Sequence, residues 1–166
     1  MRGWRIASRM VGVMALLGVG WGQVSVPEQQ MAACTFEDGG QVSVRYEAAE
    51  AHGDKPPEGR AWSPGETPIF LFTSTAVKLG EDAIPIGAFS LFVIPEKHVW
   101  TLVVNKDVSG KKYDAQQDLA REPMELGSVD EASKEVSVVL GHIAPKVCSL
   151  RLYYGKTGAW VEFKEP

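Results

Sequence analysis

Carboxylate side chains are concentrated in one polar segment of the chain, where they could act as acids, bases or cation ligands. Cations lie between them, and the charged residues of the segment are Lys106, Asp107, Lys111, Lys112, Asp114, Asp118, Arg121 and Glu122. Asp114 and Asp118 are four positions apart, so a helical turn here would place both carboxylates on one face. The segment is therefore a candidate acid–base or cation site, and the alternative is a solvated, charge-balanced loop.

Aromatic side chains that could line a ligand groove form a second group of candidates. Tyr113 lies in the charged segment, and Trp62 precedes Glu66 in an earlier loop rich in proline and glycine. Exposed rings can stack on sugars, whereas rings in strands more often pack in the core. The candidate ligand or polar site therefore comprises Asp107, Tyr113, Asp114, Asp118, Arg121, Trp62 and Glu66.

Motifs for metal binding and nucleophilic catalysis are missing from the sequence. His52, His98 and His142 are scattered singly, without the closely spaced partner of a strand or helix metal site. There is no Gly-x-Ser-x-Gly nucleophile elbow and no phosphate-binding glycine loop. We therefore expect no catalytic residue of these types, no bound metal and no cofactor.

The elements that must position the candidates are predicted to be β-strands. Residues 89–94 and 99–104 are apolar runs joined by the polar residues 95–98, a pattern typical of a hairpin covered on both faces. Further strands are predicted at 35–38, 41–46, 69–73, 121–126, 135–140, 147–154 and 159–164, with turns at 39–40, 127–133 and 155–158. One helical turn is expected near 115–120. The pattern predicts an all-β fold, an antiparallel β-sandwich or barrel-like sheet of about eight or nine short strands.

The N-terminus predicts export from the cytosol. Arginines in the first nine residues precede an apolar run at 10–19, and the small residues Gly20 and Gly22 precede a cleavage site before Gln23. The run is too short to span a bilayer, so no membrane span is expected after cleavage. We expect a signal peptide at 1–22, a flexible leader at 23–31 and a single domain at 32–166, in a periplasmic or secreted protein.

The charge balance restricts the class of partner. The formal net charge is −4, and removal of the three arginines of the signal peptide changes it to −7. An acidic protein of this kind is a poor ligand for nucleic acid or anionic lipid. Small molecules, sugars and proteins remain as candidate partners.

The two cysteines, Cys34 and Cys148, are the sequence's other strong signal. In an oxidising compartment such a pair usually forms one disulfide, which here would close a loop of 114 residues. The alternative is a pair of buried free thiols.

One long stretch of the sequence resembles a known family. It reads Ile-Pro-x-Gly-x-Phe-Ser-Leu-Phe-x-Ile-Pro at 84–95 and Trp-Thr-Leu-x-Val-Asn-Lys at 100–106, with further matches at 113–114, 118–121 and around both cysteines. These residues resemble a bacterial exported family known as domain of unknown function 2911, of which this chain would be a diverged member. The resemblance implies a β-sandwich and no established activity.

A polar motif of that family is altered in this chain. Members usually carry Gly-Arg-Lys-Ile-Phe and later Trp-Arg-x-Gly-Ala-Asn-Glu, which the resemblance implies to be a polar site. Here Gly59 and Arg60 are the candidate remnant of the first motif, and Trp62 or Glu66 is the candidate counterpart of the second. The Arg, Ala and Asn of the second motif are not recognisable.

The sequence as a whole favours a non-catalytic binding or interaction module. The alternatives are a carboxylate-dependent hydrolase that uses residues 107–122 and a structural component of the cell envelope. A hydrolase requires a concave pocket that gathers two or more of the candidates Asp107, Asp114, Asp118 and Arg121. A binding module requires aromatic side chains exposed in a groove.

Overall fold

Antiparallel β-strands make up most of the chain. The computed structural model describes residues 28–51, 55–110 and 112–166. Within them, nine strands form one open sheet in the order β1-β2-β3-β6-β7-β8-β9-β4-β5. The strands are β1 (Gln29–Thr35), β2 (Gln41–Glu47), β3 (Ile69–Thr73), β4 (Val77–Leu79), β5 (Asp82–Ile84), β6 (Gly87–Pro95), β7 (Trp100–Asn105), β8 (Asp118–Ala144) and β9 (Val147–Lys164). The predicted all-β class is confirmed.

The predicted central hairpin is confirmed as β6 and β7. Their register runs from Ser90 opposite Asn105 to Pro95 opposite Trp100. β6 also pairs with β3 and β7 with β8, so neither strand is at an edge. Leu91, Val93 and Trp100 are buried, which is the outcome that their alternation along apolar strands predicts.

The open sheet curls so that its first strands lie against β8 and β9. The disulfide between Cys34 of β1 and Cys148 of β9 joins the two layers, with a Cα–Cα distance of 6.1 Å. The Tyr46 hydroxyl of β2 donates to the carbonyl of Val138 in β8 over 3.4 Å. The layers enclose one continuous cluster of buried side chains. This arrangement is sandwich-like, and the predicted disulfide is confirmed.

Two predicted turns are wrong, because both segments lie inside long strands. Residues 127–133 belong to β8 and residues 155–158 belong to β9, and the two segments pair with each other, with Gly127 opposite Gly158. The register shifts between Ser128 and Ser133, so the turn-prone residues produce an irregular bend within the ribbon. The chain reverses instead between β8 and β9, where Lys146 has a φ of 63°. The strands are therefore fewer and longer at the C-terminal end than predicted.

The first strand begins earlier than predicted. β1 begins at Gln29 and pairs with β2 from Gln29 opposite Glu47, so residues 29–31 of the expected leader lie in a strand. The expected signal peptide at 1–22 and His52 are outside the described residues. Within the described ranges, no helix is long and apolar enough to cross a membrane.

Candidate functional site

The charged segment after β7 covers the outer face of the central hairpin. The Ser90 hydroxyl of β6 donates to the carbonyl of Asp107 over 2.6 Å. The ring of Tyr113 meets that of Phe92 edge to face, with the centroids 5.1 Å apart. Gly110 passes so close to Pro68 that a Cβ there would lie 3.2 Å from the Pro68 ring. The segment is thus packed on the sheet, which explains how the second face of β6 is covered.

Four side chains form a compact hydrogen-bonded group that we call the Asp118 cluster: Asn105, Tyr113, Asp118 and Arg121. Asp118 Oδ2 accepts from Tyr113 Oη at 2.6 Å and from Arg121 Nε and Nη2 at 2.8 and 2.6 Å. Asp118 Oδ1 accepts from Asn105 Nδ2 at 2.7 Å. Arg121 Nη2 also donates to Tyr113 Oη at 2.7 Å. The Asp118 side chain is 11% exposed, so these donors replace most of its water.

The electrostatics of the cluster raise the pKa values of Tyr113 and Arg121. Burial, the hydrogen bond to Asp118 and the charge of that carboxylate together raise the pKa of Tyr113 to about 12, while Arg121 opposes them. The hydrogen bond to Asp118 raises the pKa of Arg121 above its ordinary value. Tyr113 therefore stays neutral and Arg121 stays charged near neutral pH.

The other two predicted aspartates bond to the backbone of their own turns. Asp107 Oδ1 accepts from the amide of Ser109 at 2.8 Å, and Asp114 Oδ1 accepts from the amide of Gln116 at 3.0 Å. The predicted helical face shared by Asp114 and Asp118 is wrong. The turn is a single 3-10 turn, Ala115–Gln117, and Asp118 already begins β8. Of the candidates in this segment, the structure brings together Tyr113, Asp118 and Arg121.

Asn105 is the member of the cluster that sequence reasoning missed. It is 1% exposed at the end of β7. Its Nδ2 donates to the carbonyl of Asp114 at 2.9 Å as well as to Asp118, and its Oδ1 accepts from the amide of Asp107 at 2.9 Å. The available signal was an amide residue directly after a buried run and before a polar loop.

Trp62 and Glu66 lie at a different place, in a cleft of about 490 Å³ that we call the Trp62 cleft. Its lining consists of Ala49, Glu50, Lys55, Pro56, Pro57, Arg60, Ala61, Trp62, Gly65, Glu66 and Tyr154. Asp107, Asp114, Asp118, Tyr113 and Arg121 are not among these lining residues. The seven predicted site residues are thus divided between two locations.

The walls of the Trp62 cleft are fixed by backbone hydrogen bonds to two different strands. On one side, Trp62 exchanges two 2.8 Å hydrogen bonds with Val93 of β6, and the amide of Gly59 donates to Pro95 at 2.7 Å. On the other side, the carbonyl of Ala49 accepts from Val136 of β8 at 2.8 Å, and the amide of Ala51 donates to Lys134 at 2.8 Å. Both walls are therefore attached to the rigid sheet.

Aromatic rings form the floor of the Trp62 cleft. Trp62 meets Tyr154 of β9 edge to face at 4.9 Å and Trp100 of β7 edge to face at 6.2 Å. Such pairs are favourable beyond their buried area. Trp62 and Tyr154 are half-buried, whereas Trp100 is in the core. Tyr154 was missed as a partner of Trp62 because nothing local in the sequence links the two residues.

A strained turn forms one end of the Trp62 cleft. Gly65 has a φ of 76° and Glu66 a φ of 59°, so two successive residues are left-handed. A Cβ on Gly65 would lie 2.5 Å from the Cβ of Ala49, which explains the glycine. The turn is closed by the amide of Glu66, which donates to the carbonyl of Ser63 at 2.8 Å. A non-glycine residue in this conformation costs about 1–2 kcal/mol, and such strain is concentrated at functional sites.

Neither location resembles a metal centre. Within the described residues, no three His, Cys, Asp or Glu side chains are grouped so that they could hold a metal ion. The Asp118 cluster offers a largely buried carboxylate that accepts hydrogen bonds from three side chains, and the Trp62 cleft offers an open, charged and aromatic surface.

Comparison with known proteins identifies the family. The family model described as "Protein of unknown function (DUF2911)" matches residues 27–163, a span that contains both the Asp118 cluster and the Trp62 cleft. No curated protein and no solved structure matched the chain. Because the match covers most of the sequence, the chain belongs to the DUF2911 family.

Proposed function

We propose that this protein is an exported, non-catalytic binding module whose ligand occupies the Trp62 cleft. The observation that carries the proposal is the cleft itself, about 490 Å³ with Trp62 and Tyr154 on its floor. Small-molecule sites typically measure roughly 300–1,000 Å³ and combine apolar rings with a few polar groups. Because the walls are attached to β6 and β8, they are ordered before binding, and less conformational entropy is lost when a ligand binds.

The Asp118 cluster supports a binding module over the alternative hydrolase. A general base needs a free lone pair and a pKa near the working pH. Asp118 is 11% exposed and already accepts four hydrogen bonds, three at Oδ2 from Tyr113 and Arg121 and one at Oδ1 from Asn105, and the pKa of Tyr113 is raised to about 12. We assign the cluster the role of fastening the segment after β7 to the sheet.

Two observations support the exported part of the proposal. A disulfide between Cys34 and Cys148 persists in oxidising compartments such as the periplasm or the extracellular space. The N-terminal sequence has the three-part pattern of a signal peptide. Detection of a chain that begins at Gln23 in a periplasmic or culture fraction would test it, and an uncut cytosolic chain would contradict it.

The binding role can be tested with the disulfide-bonded protein and a panel of neutral sugars, amino acids, dipeptides and dicarboxylates. A ligand in the Trp62 cleft should shift the amide resonances of residues 55–66 and raise the melting temperature with concentration. A free ligand concentration of one hundred times Kd corresponds to about 2.7 kcal/mol of stabilisation. Trp62→Phe should weaken binding, and Trp160→Phe is the matched control, because Trp160 of β9 is half-buried but does not line the cleft. A panel in which no compound perturbs residues 55–66 would contradict the proposal.

A further inference from the structure

We infer that the ligand of the Trp62 cleft is zwitterionic, namely a free amino acid or a short peptide with uncapped termini. This inference rests on the proposed binding function and adds the chemical class of the ligand. Its basis is the distribution of charge around the rim of the cleft, the absence of pairing at Lys55, Arg60 and Glu66 within the described residues, and the placement of Glu66.

Charges of both signs surround the aromatic floor. Lys55 and Arg60 contribute the cations, and Glu50 and Glu66 contribute the carboxylates. All four side chains are exposed, so they form a rim above the half-buried rings of Trp62 and Tyr154. A ligand in the cleft therefore meets positive charge, negative charge and an apolar surface together.

Three of the rim charges, Lys55, Arg60 and Glu66, are not neutralised by other described residues. Within the described residues, Lys55, Arg60 and Glu66 form no ion pair and no side-chain hydrogen bond, whereas ion pairs are present at Arg121 with Asp118 and at Lys164 with Glu162. Their charges are thus available to a ligand.

The backbone places the Glu66 carboxylate at the cleft despite a conformational cost. Glu66 is one of two non-glycine residues with a left-handed φ in the described chain, and it follows Gly65, which is pressed against Ala49. Glycine would adopt the same φ without strain. The turn is held by the 2.8 Å hydrogen bond from Glu66 to Ser63 and by the Ser63 hydroxyl, which donates to the carbonyl of Thr67 at 2.6 Å. The backbone from which the Glu66 side chain extends is therefore ordered before a ligand arrives.

Only a ligand with both charges satisfies the rim. A purely anionic ligand is repelled by Glu66, and a purely cationic ligand by Lys55 and Arg60. A neutral sugar supplies no charge opposite to either sign of the rim. A zwitterion can place its carboxylate on Arg60, whose planar guanidinium suits a bidentate pair, and its ammonium on Glu66. An apolar side chain of the ligand then lies against Trp62.

The test uses the dipeptide Phe-Gly and three derivatives, with the amine acetylated, the carboxylate amidated, or both ends capped. Calorimetry on the disulfide-bonded protein should give binding of the free dipeptide, and each cap should weaken binding by about tenfold or more. Equal affinity for free and doubly capped peptide would overturn the inference, as would binding of a neutral disaccharide without binding of the dipeptide. In both cases the proposed binding function survives, whereas the absence of binding by every compound would overturn both.

Variants assign each end of the ligand. Glu66→Gln should remove the preference for a free amine, so that acetylated and free dipeptide bind within about twofold of each other, while the preference for a free carboxylate remains. Arg60→Gln should do the converse. Glu81→Gln and Lys78→Gln are matched controls, because both residues are exposed and outside the cleft lining. Unchanged preferences in both cleft variants would overturn the assignment of Glu66 and Arg60 to the two ends of a zwitterion.

Discussion

The hydroxyl of Tyr113 donates to Asp118 Oδ2 over 2.6 Å, and this bond fastens the segment after β7 to the first residue of β8. The same oxygen accepts from Arg121, so the carboxylate is shared by a neutral and a charged donor. The arrangement stabilises the protonated form of the phenol, so the bond between Tyr113 and Asp118 depends on the pH at its alkaline end.

Tyr113 should ionise at a higher pH than an ordinary tyrosine does. Burial raises its pKa to about 12 from an ordinary value of 10.0, so the folded state binds this proton more tightly than the unfolded state. Its stabilising contribution is complete below about pH 10 and is lost as the pH rises towards about 12. The difference between the ultraviolet titrations of the wild type and Tyr113→Phe should show an inflection near the upper value. An inflection near pH 10 would contradict the geometry of the cluster.

Asn105→Ala should lower the free energy of unfolding by about 3 kcal/mol. The change removes two donated bonds and one accepted bond at a site that is 1% exposed, and it leaves backbone groups of the covering segment unsatisfied. Urea titration measures the effect. Gln116→Ala, at an exposed position of the same segment, is the control and should change stability by less than about 0.5 kcal/mol. Similar values for both variants would show that the segment is not fastened through Asn105.

Glu66→Gly should leave stability unchanged or raise it by up to about 1 kcal/mol. Glycine relieves the strain of a φ of 59°, and this gain is partly offset by the greater freedom of glycine in the unfolded chain. Lys146→Gly is the matched control, because Lys146 has a φ of 63° and does not line the Trp62 cleft. Denaturant titrations of both variants check the expectation. A loss of more than about 1 kcal/mol for Glu66→Gly alone would mean that its side chain supports the fold.

Gly127→Ala should lower the free energy of unfolding by about 1–3 kcal/mol. A Cβ at this position would lie 2.7 Å from the ring of Trp160, which is tethered by a 2.6 Å hydrogen bond to Glu125 and cannot move freely. Gly141→Ala in the same strand meets nothing within 4 Å and should be neutral or slightly stabilising. Thermal unfolding of the two variants makes the comparison, and equal melting temperatures would contradict the close packing at the bend.

Residues with local signals were predictable, and residues with distant partners were not. The apolar alternation of β6 and β7, the buried Trp100 and the pairing of Cys34 with Cys148 all follow from patterning and from the number of cysteines. The bend at the facing residues Gly127 and Gly158 does not follow from local patterning, because glycine occurs both where a chain reverses and where a strand kinks. Only the pairing with the facing strand distinguishes the two cases. Local charge density likewise groups Asp107 and Asp114 with Asp118, although the carboxylates of Asp107 and Asp114 accept from amides of their own turns.

The surroundings of Trp62 in the Trp62 cleft could not be predicted from local sequence either. Trp62 and Glu66 were selected as candidates, but the residues that complete their surroundings come from β9 and from the segment after β2. Contact between Trp62 and Tyr154 depends on the curl of the whole sheet. Tertiary neighbours of this kind cannot be predicted from hydrophobic periodicity or from the spacing of residues along the sequence.

The bond between Cys34 and Cys148 has a consequence for the order of events during maturation. One sulfur belongs to the first described strand and the other to the last, so the covalent ring cannot close until the chain has been synthesised as far as Cys148. Because the sequence contains two cysteines, there is one intramolecular pairing and no scrambled isomer to correct. Until Cys148 is available, any disulfide that Cys34 forms is therefore with another molecule.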